Sequence, residues 1–535
     1  MSEGQNRLKI LYWSFFILTI IAVLYIRIRL LGIPLERDEG EYAYMGQLIS
    51  QGIIPYKDAY SMKLPGSAFM YYLIMSVFGQ TITGIHLGLM AINFGVLPAL
   101  FLLIKRLFNE RTALVASASY AALSVGVPVL GFVAHATQFV VFFAVWGIYF
   151  LYKATDEKKT WLLAMSGLCL GMAFLMKQHG IFFLLFGVVY LFAIRRGLKS
   201  FVIECLVLVV MAALPFALTL LIIYRGGIFD TFWFWCFTYS GKYVSTLTLK
   251  DGVSRFTTMA LRTAEHFTVL WISGISGLAL MFSGSGIDRE RRLFTLLFFL
   301  FSFLSLLPGF YFREHYFVLI IPAISIMAAY CEHYLSGVLA RKFPEGILDK
   351  LPLAILSAGL IFTFTVQGRM YFKMPPDEVS REIYGLNPFV ESPKIAQYLK
   401  QHAKEGDTVA VIGSEPQILF YSGIRSATGY IYMYGLMEDQ PYNLQMQKAM
   451  AAGIEKAKPA FAVLVQVPAS WVPSKNSPQY IFNWASAYIG NNYDITGVVD
   501  LIYYDNVVYK FGTDALNYKP LSNTYIYILM RKGGG

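Results

Sequence analysis

The stretch "KILYWSFFILTIIAVLYIRIRLLGIPLERDEGEYAYMG", Lys9 to Gly46, joins a long apolar run to a cluster of charges. Residues 10–31 are long enough to cross a bilayer core of about 30 Å, which takes about 20 apolar residues in a helix. No small-residue cleavage site follows, so we expect a retained membrane helix rather than a signal peptide. Arg37, Asp38, Glu39 and Glu41 come soon after it. Charge at a membrane boundary is costly, and the stretch predicts polar chemistry where the first helix ends.

The composition supports a membrane protein. Of 535 residues, 56% are hydrophobic and 14% are charged, whereas soluble domains have about 25% charged residues. The net charge of +11 does not indicate a nucleic-acid partner, because the basic residues form short clusters between apolar runs. The four cysteines are far apart with no CxxC pair, which argues against a disulfide framework or zinc site. We therefore expect the lipid bilayer to surround most of the chain.

Apolar runs predict eleven membrane spans: 10–31, 83–104, 112–127, 135–152, 161–176, 180–194, 201–224, 264–283, 293–308, 315–335 and 351–370. Lys and Arg gather in alternate short loops, at 7–9, 105–111, 153–159, 195–199, 289–292 and 341–350. Such loops face the cytoplasm. The loops 32–82 and 225–263, and everything after about 371, are then predicted on the opposite face. The loop 225–263 is either a mobile flap or a plain interfacial loop.

From residue 372 the sequence takes on the pattern of a water-soluble domain. Apolar runs at 408–413 and 461–467 predict buried strands, 394–403 and 442–456 predict helices, and stretches near 495–511 and 525–530 predict edge or antiparallel strands. A nucleotide site is not expected, because there is no GxGxxG or P-loop. The predicted fold is a polytopic α-helical membrane domain over 1–371, with its first external loop at 32–82, followed by an extracytoplasmic α/β domain over 372–535.

The first external loop carries the strongest chemical signal. If residues 39–51 form a helix, an apolar face of that helix can lie along the membrane surface, formed by Tyr42, Met45, Leu48 and Ile49. The carboxylates then have two interpretations. Asp38 could cap the helix, with Glu39 and Glu41 favouring its positive end. Alternatively they form a reactive cluster, which Lys63 in "KLPG" of the same loop favours, although an interfacial lysine can also extend to lipid headgroups.

Two further polar clusters are predicted on the same face. "KQHG" contains Lys177 and His179, and "FYFREHYF" contains Arg313, Glu314 and His315. Ionisable groups at membrane depth usually face the bundle interior or a wet cavity; the alternative is pairing that only holds helices together. His135 and Gln138 are interpreted as helix-packing polar groups.

A pocket lined by both carboxylates and cations would suit the transfer of a group from a lipid-linked phosphate donor to a hydroxyl. A carboxylate can take a proton from an attacking hydroxyl. Lysine and arginine can stabilise the charge of a departing phosphate.

The loop "RDEGEYAYMGQLISQGIIPYKDAYSMKLPG", Arg37 to Gly66, resembles the first external loop of bacterial glycosyltransferase family 39, the protein-mannosyltransferase-like enzymes of the GT-C superfamily. Relatives include the lipid A aminoarabinose and galacturonic acid transferases. The resemblance extends to "GMAFLMKQHG", "FREHYFVLIIP" and "SPKIAQYLKQHAKEGDTVAVIGSEPQILFYSGIRSATGY". It implies a GT-C bundle in the bacterial cytoplasmic membrane. It also implies inverting sugar transfer from a polyprenyl-phosphate donor to a glycolipid, polysaccharide or protein on the periplasmic face.

The resemblance also implies roles for individual residues. Asp38 corresponds to the catalytic base or acceptor-positioning residue, Glu39 to the acid beside it, and Lys63 to the contact with the donor phosphate, with "KLPG" replacing the usual "KPPG". Further phosphate contacts are predicted at Lys177, Arg313 and His315, and substrate or metal contacts at Glu41, Tyr42 and His179.

Two alternatives stay open at the level of sequence. No cofactor is firmly predicted, but Asp38, Glu39 and Glu41 could bind Mg²⁺ or Mn²⁺. The competing function is a transporter or flippase of lipid-linked sugars, a class that usually shows internal repeats or broken helices with polar groups at the midplane. We also expect the C-terminal domain to help select the acceptor.

Overall fold

A computed structural model describes residues 3–194, 197–245, 247–283, 287–343 and 347–533. Arg195 and Arg196, which belong to one of the basic loops, lie outside the described residues.

The helices as far as residue 225 follow the predicted apolar runs and the first external loop. They are α1 Glu3–Arg29, α2 Arg37–Ser50, α3 Gly66–Phe78, α4 Ile82–Leu107, α5 Glu110–Leu123, α6 Ala136–Glu157, α7 Thr160–Met176, α8 Ile181–Ala193 and α9 Leu198–Arg225. The next helices are α10 Phe229–Trp233, α11 Ser240–Val244, α12 Leu249–His266, α13 Thr268–Phe282, α14 Arg289–Leu304, α15 Ile321–Lys342 and α16 Leu351–Val366.

Each predicted span overlaps one of these helices, and the length of each helix decides whether it can cross a bilayer alone. In the part of the chain that the structure describes, six helices are long and apolar enough, or seven if α12 and α13, bent by 115°, form one span. Shorter apolar helices occur at Gly66–Phe78, Thr160–Met176 and Gln178–Ala193. A multi-span helical membrane fold is therefore confirmed, and the count of eleven stays a prediction.

The C-terminal part is an α/β domain. Its helices are α17 Pro376–Tyr384, α18 Ser392–His402, α19 Pro416–Ser422, α20 Tyr434–Met437, α21 Asn443–Ala457, α22 Pro468–Trp471, α23 Tyr480–Asn492 and α24 Thr513–Leu516. Its strands are β1 Thr408–Ile412, β2 Arg425–Ser426, β3 Phe461–Gln466, β4 Tyr493–Tyr503, β5 Asn506–Phe511 and β6 Tyr525–Arg531. They form one sheet in the order β2-β1-β3-β6-β4-β5.

The sheet is mixed. β1 pairs in parallel with β2 and β3, whereas β6 runs antiparallel to both β3 and β4. The last strand of the chain therefore lies inside the sheet, and the buried Ile526 and Ile528 belong to its core. The predicted strands at 408–413 and 461–467 and the antiparallel stretches near 495–511 and 525–530 are confirmed.

The chain forms two compact units. The first comprises Met1–Leu31, His86–Ile222 and Leu247–Met374, and the second comprises Gly32–Ile85, Ile223–Thr246 and Pro375–Gly535. The second unit thus joins the first external loop and the aromatic segment after α9 to the α/β domain. Trp235 and Tyr239 of that segment are buried in the core beside Ile412 and Leu436. This burial contradicts the flap interpretation for this part of the segment.

Helix α2 is enclosed by protein. It packs between α3 and α19, and Tyr42, Met45 and Leu48 are buried. A Cβ atom on Gly40 would lie 2.5 Å from the backbone nitrogen of Gln417, so only glycine permits this approach of α2 to α19. The predicted apolar face is therefore covered by protein rather than open to lipid.

Candidate functional site

Glu36 caps the first turn of α2. Its side chain accepts a hydrogen bond from the backbone N–H of Glu39 at 2.9 Å, and Glu39 accepts one from the N–H of Glu36 at 3.3 Å. This is a capping box, which satisfies two of the backbone donors that a helix start leaves unpaired. The interpretation in which Asp38 caps the helix is wrong, because Glu36, two positions earlier, does so. Asp38 lies inside the first turn and its side chain contacts Lys63.

Lys63 bridges two carboxylates of α2. Its Nζ donates to Asp38 Oδ1 at 2.8 Å and to Glu41 Oε2 at 2.6 Å. Asp38 and Glu41 are three positions apart and thus share one face of the helix. The ammonium also lies 4.6 Å from the centroid of the Tyr42 ring. The structure thus brings Lys63 together with two of the predicted carboxylates of this loop, Asp38 and Glu41. We call Asp38, Glu41 and Lys63 the lysine cluster.

Hydrogen bonds hold the backbone of Lys63 in place. The carbonyl of Lys63 accepts hydrogen bonds from the Tyr56 hydroxyl at 2.6 Å and from Cys236 Sγ at 3.4 Å. Its N–H donates to Ser61 Oγ at 3.1 Å. These bonds hold the loop so that the four-carbon side chain reaches back to α2.

The lysine cluster is mostly buried but open to solvent at one side. Lys63 and Asp38 each keep 17% of their side-chain surface exposed, and Glu41 keeps 3%. Burial by itself would lower the pKa of Lys63, but the charges of Asp38 and Glu41 outweigh it and raise that pKa well above its ordinary value. Burial raises the pKa of Glu41, and the charge of Lys63 offsets this only in part. The ammonium therefore stays protonated beside two carboxylates.

Tyr432 of the α/β domain also contacts this cluster. Its hydroxyl donates to Asp38 Oδ1 at 3.1 Å. Sequence reasoning missed it, because Tyr432 follows Asp38 by 394 residues and no local pattern links them.

Arg37, next to Asp38, is held by a second cluster, which we call the arginine cluster. Its guanidinium donates to four acceptors: the Ser414 carbonyl at 2.5 Å, the Tyr434 hydroxyl at 3.0 Å, Asn387 Oδ1 at 3.1 Å and Glu415 Oε1 at 3.0 Å. Ser470 Oγ donates to the other Glu415 oxygen at 2.7 Å. Burial would lower the pKa of Arg37, but Glu415 reverses this and raises it. Burial raises the pKa of Glu415, and the charge of Arg37, which lowers it, offsets this only in part.

In the first unit, the structure brings Lys177 and His315 together. Lys177 Nζ lies 3.3 Å from His315 Nε2 and 4.1 Å from the centroid of the Tyr316 ring. The His135 ring stacks on His315 with centroids 4.0 Å apart. His135, which we assigned to helix packing, thus belongs to a group of basic side chains.

The other predicted residues of the first unit have different surroundings. His179 Nδ1 lies 2.6 Å from the Ser305 carbonyl. Arg313 is exposed, with its guanidinium 5.5 Å from the Tyr311 ring centroid. Glu314 lies 3.9 Å from Arg262, and both side chains are exposed, which makes this a weak pair.

The acidic residues of α2 do not present three open carboxylates to a metal ion. Glu39 is engaged in the capping box, and the Lys63 ammonium lies within 2.8 Å of Asp38 and Glu41. A divalent cation between those two carboxylates would meet a positive charge at close range. In this arrangement the acidic residues of α2 do not fit Mg²⁺ or Mn²⁺.

Residues 62–222 match the family model described as dolichyl-phosphate-mannose-protein mannosyltransferase. None of the curated protein sequences matches the chain. Solved structures do. ArnT from Cupriavidus metallidurans, bound to undecaprenyl phosphate, is 15% identical with a TM-score of 0.57, over 85% of this chain and 93% of that one.

The archaeal oligosaccharyltransferase AglB from Archaeoglobus fulgidus, in complex with an inhibitory peptide and a dolichol-phosphate, is 11% identical with a TM-score of 0.54, over 94% of this chain and 74% of that one. The Archaeoglobus fulgidus oligosaccharyltransferase in complex with Zn and sulfate is 13% identical with a TM-score of 0.52, over 93% and 73% of the two chains. At such identities the likeness shows a shared fold. Together with the family-model match, it confirms that this chain resembles the protein-mannosyltransferase-like glycosyltransferases of the GT-C superfamily.

Proposed function

We propose that this protein is a membrane glycosyltransferase that moves a sugar from a polyprenyl-phosphate donor to an extracytoplasmic acceptor. The observation that carries the proposal is the ammonium of Lys63 held between Asp38 and Glu41. A carboxylate beside a fixed cation offers a proton acceptor next to a stabiliser of phosphate charge. The match to ArnT bound to undecaprenyl phosphate supports this class of donor. We assign the protein to the bacterial cytoplasmic membrane, with its active site and α/β domain on the periplasmic face.

The reaction is a single displacement with inversion. The acceptor hydroxyl attacks the anomeric carbon and gives its proton to Asp38. The bond between that carbon and the phosphate oxygen breaks, and the polyprenyl phosphate leaves with the electron pair. Because the leaving group is a stable anion, the step does not need a protonating acid.

In this scheme Lys63 binds both the carboxylate of Asp38 and the donor phosphate. A lysine ammonium has three N–H donors, and among the described residues Lys63 gives two of them to Asp38 and Glu41. The third is available to an oxygen of the donor phosphate. Glu41 keeps the ammonium beside Asp38, and Tyr42 flanks it with its ring. Glu39 contributes by fixing the helix start that carries Asp38.

We further propose that Lys177, Arg313 and His315 contribute positive charge toward the donor phosphate. The supporting observation is the contact between Lys177 and His315. We assign a structural role to His179, because its ring nitrogen already contacts the Ser305 carbonyl.

The test is a transfer assay in membranes supplied with a labelled polyprenyl-phosphate sugar. We expect Asp38→Asn to abolish transfer, because the amide cannot accept the proton. Asp58→Asn is the matched control: Asp58 lies on the same loop and is half-buried, and its charge should not matter.

Mass spectrometry of copurifying lipids should detect a polyprenyl phosphate. Parental transfer rates in Asp38→Asn would contradict the proposal. Label that crosses sealed vesicles without reaching an acceptor would favour the transporter instead.

A further inference from the structure

Two hydrogen-bond donors from distant parts of the chain contact one carboxylate oxygen of Asp38. Lys63 Nζ, from the first external loop, lies 2.8 Å from Asp38 Oδ1. The Tyr432 hydroxyl, from the α/β domain, lies 3.1 Å from the same oxygen. The Lys63 ammonium is also 5.4 Å from the centroid of the Tyr432 ring. All three residues belong to the second compact unit.

The backbone beside Tyr432 is firmly placed. Ile431 and Met433, its neighbours in sequence, are buried, and the N–H of Met433 donates to Ser414 Oγ at 2.8 Å. The Tyr434 ring packs perpendicular to the Tyr432 ring, with centroids 4.8 Å apart. Tyr432 thus approaches Asp38 from a rigid part of the α/β domain.

Helix α2 is tied to the same part of that domain. Arg37 donates to the Ser414 carbonyl and the Tyr434 hydroxyl, and the Tyr434 hydroxyl donates to the Ala469 carbonyl at 2.8 Å. The segment 414–434 therefore fixes both the helix that carries Asp38 and the hydroxyl that contacts its carboxylate.

We propose that Tyr432 is a positioning residue for Asp38, so that the α/β domain contributes a side chain to the catalytic centre. The proposal rests on the proposed function, in which Asp38 takes the acceptor proton. Two hydrogen bonds to one carboxylate oxygen restrict rotation of the group, which keeps its plane aligned for proton transfer. Misplacing a catalytic group by about 1 Å can cost about a hundredfold in rate.

The test compares the full-length wild-type protein with Tyr432→Phe, which keeps the ring and removes the hydroxyl. Initial rates are measured over a range of labelled polyprenyl-phosphate sugar. Because a hydrogen bond to a charged group contributes about 1.5–3 kcal/mol, kcat should fall roughly tenfold to hundredfold. The KM for the donor should change less than about threefold, since the proposed function assigns the donor phosphate to Lys63 and not to Tyr432.

Tyr430→Phe is the matched control. Tyr430 lies two positions earlier, and its ring packs against Tyr60 at 5.1 Å between centroids. We expect its kcat to equal that of the wild type. Replacement of Tyr432 by 3-fluorotyrosine keeps the hydroxyl and the packing, and should retain activity.

Each outcome is decisive. A wild-type kcat in Tyr432→Phe would overturn the proposal. So would an equal loss in Tyr430→Phe, or a rate loss accompanied by a fall in thermal stability, because both indicate a structural role. Loss of activity in the fluorotyrosine protein would exclude the hydroxyl as the cause. If Asp38→Asn itself retains transfer, the proposed function fails; if Asp38→Asn is inactive and Tyr432→Phe is fully active, only the role of Tyr432 fails.

Discussion

The arginine cluster and the lysine cluster begin one residue apart on α2, yet they differ in charge balance and exposure. Arg37 meets one carboxylate and three neutral acceptors, and the side chains of Arg37 and Glu415 are 8% and 0% exposed. Lys63 meets two carboxylates, and 17% of its side chain is exposed. The first cluster is closed and charge-balanced. The second carries an excess negative charge and reaches solvent.

We interpret the arginine cluster as a structural ion pair and the lysine cluster as the proposed reactive one. A planar guanidinium holds several acceptors in fixed directions, which suits the joining of α2 to the α/β domain. A lysine ammonium is a compact charge on a flexible stem and can redirect one donor to a ligand. We therefore expect substitutions in the arginine cluster to change stability and those in the lysine cluster to change transfer.

The largest effect is expected for Arg37→Met. It leaves Glu415 buried without its cation, and breaking a buried pair in this way costs about 3–5 kcal/mol. Thermal unfolding in detergent measures the loss. The double variant Arg37→Met with Glu415→Leu should recover most of it, because neither charge then remains. Equal stability in the single and double variants would show that the pair does not tie α2 in place.

Lys63→Gln should have the next largest effect, on activity. In the proposed function Lys63 stabilises the leaving phosphate, and removing one such stabilising donor from an active site costs about 10²–10³ in rate. Thermal stability should fall less than in Arg37→Met, since this cluster reaches solvent. Lys57→Gln, an exposed lysine on the same loop, is the control for the assay. A Lys63→Gln protein with normal transfer but low stability would reverse the assigned roles of the two clusters.

Gly40→Ala tests the approach of α2 to the α/β domain. The added Cβ would lie 2.5 Å from the Gln417 nitrogen, and overpacking of this kind costs about 1–3 kcal/mol. Gly241→Ala, where a Cβ meets nothing within 4 Å, should leave the melting temperature unchanged. Equal stability of the two variants would show that α2 and α19 can separate without cost.

The smallest effect concerns pH. Burial raises the pKa of Glu41 above its ordinary value of 4.5, so the folded state binds a proton more readily than the unfolded state. Stability should therefore fall as pH rises from about 4.5 through the folded pKa. Glu41→Gln should flatten this slope only in part, because the pKa values of Glu36 and Glu415 are shifted in the same direction. An unchanged slope measured by thermal unfolding would contradict this contribution of Glu41.

Local sequence signals predicted the elements well. The apolar runs became helices because hydrocarbon leaves the backbone no other partner for its polar groups. Asp38 and Lys63 could be assigned to one pocket from sequence because both occur on one loop, 25 residues apart. The strands at 408–412 and 461–466 were visible as short apolar runs.

Long-range contacts could not be predicted in the same way. Arg37 and Glu415 are 378 residues apart, and a single sequence contains no pattern that pairs them. The capping of α2 by Glu36 was also missed. Aspartate is preferred over glutamate at the N-cap position of helices, and Asp38 lies only two positions away. The structure instead places Asp38 in the lysine cluster, and the role that we propose for Asp38 rests on that placement.

Binding of undecaprenyl phosphate to the wild type, Asp38→Asn and Lys63→Gln tests the assignment of Lys63 and Asp38 most directly. A titration of each purified protein separates donor binding from proton transfer. We predict that the wild type binds, that Asp38→Asn binds at least as tightly because one competitor for the ammonium is gone, and that Lys63→Gln binds about tenfold or more weakly. Equal affinity of Lys63→Gln and the wild type, or loss of binding in Asp38→Asn alone, would contradict the assignment.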